Sequence, residues 1–259
     1  MIEERLIRKV TEIGNGAHIF APREWLNEEV IIVRTPRINP KEEIIKVLGP
    51  YLDKVIAIFL YGSYARGEQE RDSDIDVLVI SREKFSVKYK NMEIVVIPES
   101  KIKSAIKLNP LLFYSMLNEA LPIINSSYFE KLKHEKIDFS LFNEVIKDTK
   151  ESLKSSQEIM EMDYRLKSKI ASESVVYSLI LRLRGLFIIN LLLSNKKYSK
   201  QSFRNWLIAN SNIDYEKIYN IYRAIRDNKK VAEKVPIEQA ESLIKLLFKE
   251  IKKLEGKIR

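Results

Sequence analysis

Three short runs, Val55 to Tyr61, Ile75 to Ile80 and Met92 to Ile97, are rich in valine and isoleucine and apolar almost without interruption. An amphipathic strand alternates polar and apolar residues; a strand covered on both faces does not have to. The runs are therefore expected to be neighbouring central strands, with helices on either side. Lys41 to Leu52, apolar at 44, 45, 48 and 52 and ended by Gly49-Pro50 or shortly after, is expected to cover one face. Lys101 to Asn109 or Leu111 to Ala120 is expected to cover the other. The middle of the chain reads as a compact α/β domain.

Either side of this region the periodicity changes. Upstream, Leu6 to Ile13, Ala17 to Phe20, Pro22 to Leu26 and Val30 to Val33 are brief apolar stretches broken by turn signals such as Gly14-Asn15-Gly16, which predicts a small β-rich module. Thr35 to Pro40 carries two prolines and reads as a linker, with Asn39-Pro40 setting up a helix start at Lys41. Beyond about Asp138 the spacing becomes helical: Leu141 to Ile170, Glu173 to Leu193, Ser199 to Ala209, Tyr215 to Arg226 and Pro236 to Leu254. Asn195-Lys196-Lys197, Ser211-Asn212 and Asp227-Asn228 are the expected connections. The expected division is 1–36, 37–125 and 138–259, an α+β chain whose last part is a helical bundle.

The chain has no cysteine and only two histidines, so any metal must be held by oxygen ligands or by those two residues, which favours a hard ion such as magnesium. A net charge of +9 suits phosphate-bearing ligands without choosing among nucleotide, nucleic acid and an anionic surface. No stretch approaches eighteen uninterrupted apolar residues and Met1 to Ile7 lacks a secretion-signal layout, so a cytoplasmic location is the expectation.

The chemistry concentrates around Gly62. Directly after the first apolar run come Gly62 and Ser63; Asp74-Ile75-Asp76 then opens the second. Gly62 presents no side chain to an approaching phosphate, and Ser63 offers a hydroxyl and an N–H at the start of a helical turn. Asp74 and Asp76, two apart on a strand, project to one face, with Ile75 and Val77 on the other. Two carboxylates so placed repel each other, and a divalent cation removes that cost. Glu93, between Met92 and Ile94, can join them if the strands are neighbours. Arg66, one turn past Ser63, could neutralise phosphate charge or stand exposed on its helix, and Ser73 could cap the aspartate turn.

The run Gly62-Ser63-Tyr64-Ala65-Arg66-Gly67, followed after its spacer by Ser73-Asp74-Ile75-Asp76, resembles the signature of the nucleotidyltransferase superfamily related to DNA polymerase beta, and most of all its minimal prokaryotic branch. The resemblance covers about 40 to 125. It implies a mixed sheet with flanking helices, Asp74, Asp76 and Glu93 as catalytic residues and ligands of Mg2+ or Mn2+, and Gly62, Ser63, Arg66 and Ser73 on the nucleotide. The third acidic position is more often Asp than Glu in that superfamily. The implied reaction moves a nucleoside monophosphate from a triphosphate, expected to be ATP, to a hydroxyl of a protein, small molecule or RNA, with release of pyrophosphate.

The segment Val10 to Leu26, with Val30 to Val33 after it, resembles the swapped hairpins of AbrB-type regulators. That implies a homodimer and DNA contact through Arg5, Arg8, Lys9, Arg23 and Arg34, and an alternative function as a DNA-binding regulator or antitoxin-like protein with an inactive or sensing nucleotide site. His18 reads as a structural histidine and His134 as a solvated one. Residues 138 to 259 contain no histidine, which excludes the nuclease form of the helical HEPN domains that accompany minimal nucleotidyltransferases. The stripe Val175, Val176, Leu179, Ile180, Leu183, Leu186, Phe187 and Leu191 reads as core, as do the tyrosines at 177, 198, 215, 219 and 222. Arg182, Arg184, Lys196 or Lys197 could reach the cleft.

Overall fold

The computed structural model describes residues 6, 8, 10–32, 39–70 and 73–258. The chain divides into two compact units, 1–38 and 39–259.

In the first unit Thr11–Ile13 (β1) and Gly16–His18 (β2) form an antiparallel hairpin in which Ile13 faces Gly16. Gly14, at φ +52°, takes the first position of the two-residue loop, where a type II′ turn needs glycine. A 3₁₀ turn follows at Arg23–Trp25. Val30 to Ile32 forms no strand, so the unit is less β-rich than its apolar runs suggest; Val33, Arg5, Lys9, Arg34 and the linker up to Ile38 lie outside the described residues. No described residue of the unit is buried, and Phe20, Leu26, Ile31 and Ile32 are well exposed. Nε2 of His18 pairs with Oγ1 of Thr11, its register partner across the hairpin, at 3.1 Å, which is the structural use expected of it.

The second unit begins with Pro40–Leu48 (α1). The Asn39 side chain accepts the Lys41 N–H, and Pro40 occupies the first position, where its missing N–H costs nothing. The helix stops at Leu48, earlier than the apolar stripe suggests, because Gly49-Pro50 turns the chain into a 3₁₀ segment, Gly49–Lys54. Then come Val55–Tyr61 (β3), Gly62–Arg66 (α2), Ile75–Ser81 (β4), Met92–Pro98 (β5), Ile102–Leu108 (α3), Pro110–Glu119 (α4), Leu121–Ile124 (β6) and Ser126–His134 (α5). Strand β6 and helix α5 have no counterpart in the sequence reading: four residues are too few to show a period, and charged positions dilute the apolar stripe of α5.

The sheet order is β5-β4-β3-β6, with β4 and β5 parallel and the other pairs antiparallel. Strands β3 and β4 are central and almost wholly buried, as their unbroken apolar runs imply. Strand β5 has an equally apolar run but lies at the edge and is only half-buried. One face of the sheet presents Ile58, Leu60, Ile75, Val77 and Val79 to Ile44 and Leu48 of α1. The other presents Phe59, Tyr61, Leu78 and Ile80 to Ile102, Phe113, Met116 and Leu117 of α3 and α4 and to Phe129 of α5.

The remaining elements are Phe142–Arg165 (α6), Glu173–Leu193 (α7), Lys200–Asn210 (α8), Tyr215–Arg226 (α9) and Ile237–Ile258 (α10). Asn195 and Asn228, just past the ends of α7 and α9, both adopt the left-handed conformation that asparagine tolerates in such turns. Helix α7 is long and apolar enough to cross a membrane by length and composition. Here it is the central element of the helical core, with Val175, Val176, Leu179, Ile180 and Leu183 fully buried against α6, α9 and α10. Helix α4 joins the two layers: Phe113, Met116 and Leu117 belong to the sheet core, and Tyr114 belongs to the helical core, beside Phe142.

Replacement of Leu78, fully buried on β4, by alanine should lower stability by about 3 kcal/mol. Leu121→Ala on β6, 40% exposed, should lower it by less than about 1 kcal/mol. Urea unfolding of the two variants measures this; equal losses would contradict the assignment of central and edge positions.

Candidate active site

Chain order and strand register bring the acidic residues together. Tyr61 faces Asp76 across the antiparallel pair, and Asp76 faces Glu93 across the parallel one, so the three stand in a row on the side of the sheet covered by α4. Ile75 and Val77 turn to the other side, as the two-residue period requires. Asp74 precedes β4 and is exposed, as is Glu93, whereas Asp76 is half-buried.

Gly62 follows β3 with φ +73° and is buried. A Cβ built there would lie 1.8 Å from Oδ2 and 2.8 Å from Cγ of Asp76. The Asp76 carboxylate thus fills the space that any other residue's side chain would need, and glycine is demanded twice over, by conformation and by contact. Ser63 is half-buried on the next position, and its carbonyl accepts the Glu68 N–H at 2.9 Å. Ser73 is a turn residue: its Oγ accepts the Glu70 N–H at 2.8 Å, and its own N–H donates to the Glu70 carbonyl at 3.1 Å. Residues 71 and 72, between them, lie outside the described residues.

Burial, reinforced by the charges of Glu93, Glu119 and Asp74 and only partly offset by Arg66, pushes the Asp76 carboxyl up to about 7. Burial, with the charges of Asp76, Glu93 and Glu119, also raises the Tyr61 hydroxyl well above its ordinary value. The site therefore carries negative charge that the protein leaves largely uncompensated. Among the described residues no three acidic or histidine side chains are gathered tightly enough to hold a metal by themselves. Magnesium uses one or two carboxylates and completes its shell with water and substrate phosphates. Asp74 and Asp76, with Glu93 beside them, are the residues that could hold it.

Arg66 is not an exposed helix arginine. Its Nε donates to Glu68 at 2.8 Å and its Nη1 to Glu119 at 2.5 Å, and its guanidinium lies 5.3 Å from the Tyr198 ring. Burial works against its charge, but the two carboxylates outweigh burial and hold the proton more firmly than in an ordinary arginine. Glu119, absent from the sequence reading, also accepts the Gly62 N–H at 2.8 Å. One signal could have found it: within 110–124 it is the single charged residue, at the junction of a helix and a strand.

A family model described as a nucleotidyltransferase domain matches residues 41–167. A Methanocaldococcus jannaschii protein, named a putative protein adenylyltransferase, is 36% identical over 73 residues, covering 28% of this chain and 71% of that relative. Among solved structures, a spectinomycin adenyltransferase of Enterococcus faecialis, crystallised with ATP and spectinomycin, aligns at 14% identity over 82% of this chain and 98% of its own, with a TM-score of 0.47. A nucleotidyltransferase-like protein from Exiguobacterium sibiricum aligns at 12% identity over 84% and 77%, with a TM-score of 0.40. The chain belongs to the nucleotidyltransferase family and is an enzyme of that class. The family match leaves residues 1–40 outside it, so the AbrB-type resemblance of the first unit gains no support there.

Two outcomes follow from this geometry. Gly62→Ala should displace the Asp76 carboxylate and lower turnover about 100-fold or more, measured by nucleotide transfer; near-normal turnover would show that the close approach is dispensable. A carboxyl whose pKa is raised by folding binds its proton more tightly in the folded chain, so its contribution to stability is full at low pH and is lost as pH rises through about 7. Asp76→Asn should accordingly raise the melting temperature of the metal-free protein at pH 8 by about 3 °C or more, and by clearly less at pH 5, where only part of the contribution has been lost. A gain of the same size at both pH values would contradict this assignment.

Proposed function

We propose that the chain transfers a nucleoside monophosphate from a nucleoside triphosphate, with ATP as the donor, to a hydroxyl group on a protein acceptor. The observation that carries this reading is the packing of Asp76 against the side-chain-free Gly62, which sets a carboxylate and a phosphate-accepting turn side by side. The choice of adenylate and of a protein acceptor is supported by the M. jannaschii relative.

In this reading the Ser63 hydroxyl and N–H, beside Gly62, take the β- and γ-phosphates. Asp74 and Asp76, with Glu93 beside them, would hold Mg2+ or Mn2+, which would supply Lewis-acid stabilisation of the charge on the phosphates. The acceptor oxygen attacks the α-phosphorus in line, the bond from that phosphorus to the bridging oxygen breaks, and pyrophosphate leaves with the bonding electrons. Glu93, exposed at the sheet edge, receives the hydroxyl proton. Ser73 holds the turn that presents Asp74. Arg66 acts on the nucleotide indirectly, through the carboxylates it binds.

The test uses the full chain with each of the four α-labelled ribonucleoside triphosphates, magnesium or manganese, and cell extract, beside Asp74→Ala/Asp76→Ala. Label from ATP should pass to a protein band and fall by at least about 1000-fold in the double variant. Label on RNA or on a small molecule would overturn the protein acceptor, and absence of transfer from every triphosphate would overturn the reading.

A further inference from the structure

A line of hydrogen bonds leaves the Gly62 turn and enters the helical region. The Gly62 N–H donates to one carboxylate oxygen of Glu119 at 2.8 Å, and Arg66 Nη1 donates to the other at 2.5 Å. Arg66 Nε then donates to one oxygen of Glu68 at 2.8 Å, while the other accepts the backbone N–H of Lys200 at 2.8 Å. Each carboxylate thus binds one backbone amide and one nitrogen of the same guanidinium. Lys200 is the first residue of α8, where an N–H has no partner inside the helix, so Glu68 supplies a missing one.

Exposure sets these contacts apart from ordinary surface pairs. The side chains of Glu119, Arg66 and Glu68 are 11%, 13% and 20% exposed. Tyr198, buried two residues before α8, covers the guanidinium. Charge-assisted bonds at low exposure are strong and geometrically exacting, and a partner left unpaired there is costly. The neighbouring Glu70, which bridges Lys200 Nζ at 2.6 Å and Arg223 at 2.7 Å, is 47% exposed and has no link to the Gly62 turn.

We propose that Glu119, Arg66 and Glu68 form a positioning relay by which helix α8 holds the Gly62–Ser63 turn in its nucleotide-binding geometry, so that the helical region influences nucleotide affinity through the turn. This rests on the reading that the turn seats the nucleotide's phosphates. Glu68 is the decisive residue: its backbone N–H bonds the Ser63 carbonyl, which a side-chain substitution leaves in place, and neither of its carboxylate oxygens is bonded to the turn.

Equilibrium binding of a fluorescent ATP analogue with magnesium to the full chain tests this, with circular dichroism and thermal melting alongside. Glu119→Gln and Glu68→Gln should each weaken binding about ten-fold. The double variant should be within about two-fold of the worse single one, because the two substitutions break one connected path. Glu70→Gln, which loosens the same interface away from the relay, should bind as the parent does. An unchanged Glu68→Gln, a Glu70→Gln loss equal to it, or multiplying losses in the double variant would each overturn the relay. Should a glutamine variant fail to fold, Arg66→Lys decides: it keeps the charge but offers one nitrogen in place of the fixed guanidinium fork whose separate nitrogens reach the two carboxylates, and parental affinity there would overturn the relay. Failure of the underlying reading looks different, since the parent would then not bind the analogue, or Gly62→Ala would bind it as the parent does.

Discussion

The structure depends on helix α4, a ten-residue helix with too little polar surface to face water. Phe113, Met116 and Leu117 complete the core of the sheet, and Tyr114 and Leu111 pack into the helical core. A helix buried on two sides leaves its neighbours no freedom to separate, which is why the sheet and the helices after it form one compact unit. It also fixes where the helix ends. Glu119, its last residue, arrives beneath Gly62, where its carboxylate binds the turn and Arg66 together.

The active-site chemistry uses the ends of elements that packing has already fixed. Strand β4 is locked by hydrogen bonds to β3 and β5 on either side, and its inward residues are wholly buried. Asp76 is therefore held in a site that disfavours its charge. Burial and three neighbouring carboxylates raise its proton affinity, and Arg66, already shared by two glutamates, offsets little of it. Such a site is poor for an isolated carboxylate and good for one that meets a cation. The family to which the chain belongs performs nucleotidyl transfer, a reaction in which negative phosphates must be brought to carboxylates, and the accumulated charge is consistent with that need.

Much of this was legible in the residues. The glycine turn, the spacer and the Asp-Ile-Asp opening of a strand pointed to the right family because each has a separate physical requirement and the three coincide in order. The central strands were readable for a related reason: β3 and β4 are buried on both faces and need no polar alternation. The same logic misjudged β5, whose run is just as apolar although one side of it has no neighbouring strand. Apolar content records burial of the faces of a strand and says little about its edges. Strand β6 was missed because pairing with β3, and not its own four residues, makes it a strand. In the first unit, Val30 to Ile32 is apolar and yet forms no strand, since β propensity without a partner strand stabilises nothing.

By itself the sequence determined the local chemistry: which residue can stand at φ +73°, which carboxylates share a face, that a helix begins at Asn39-Pro40, and that no thiolate is available to a metal. Those properties depend on backbone sterics, two-residue periodicity and composition, all of which act over a few residues. Only the tertiary structure decided that Asp76 stands beside Glu93, that Glu119 and Glu68 share Arg66, and that Lys200, far along the chain, closes the path that begins at Gly62. These contacts join residues with no local pattern in common. They arise where a helix buried on two sides brings separate stretches of chain together, a placement set by the whole core and not by any one segment.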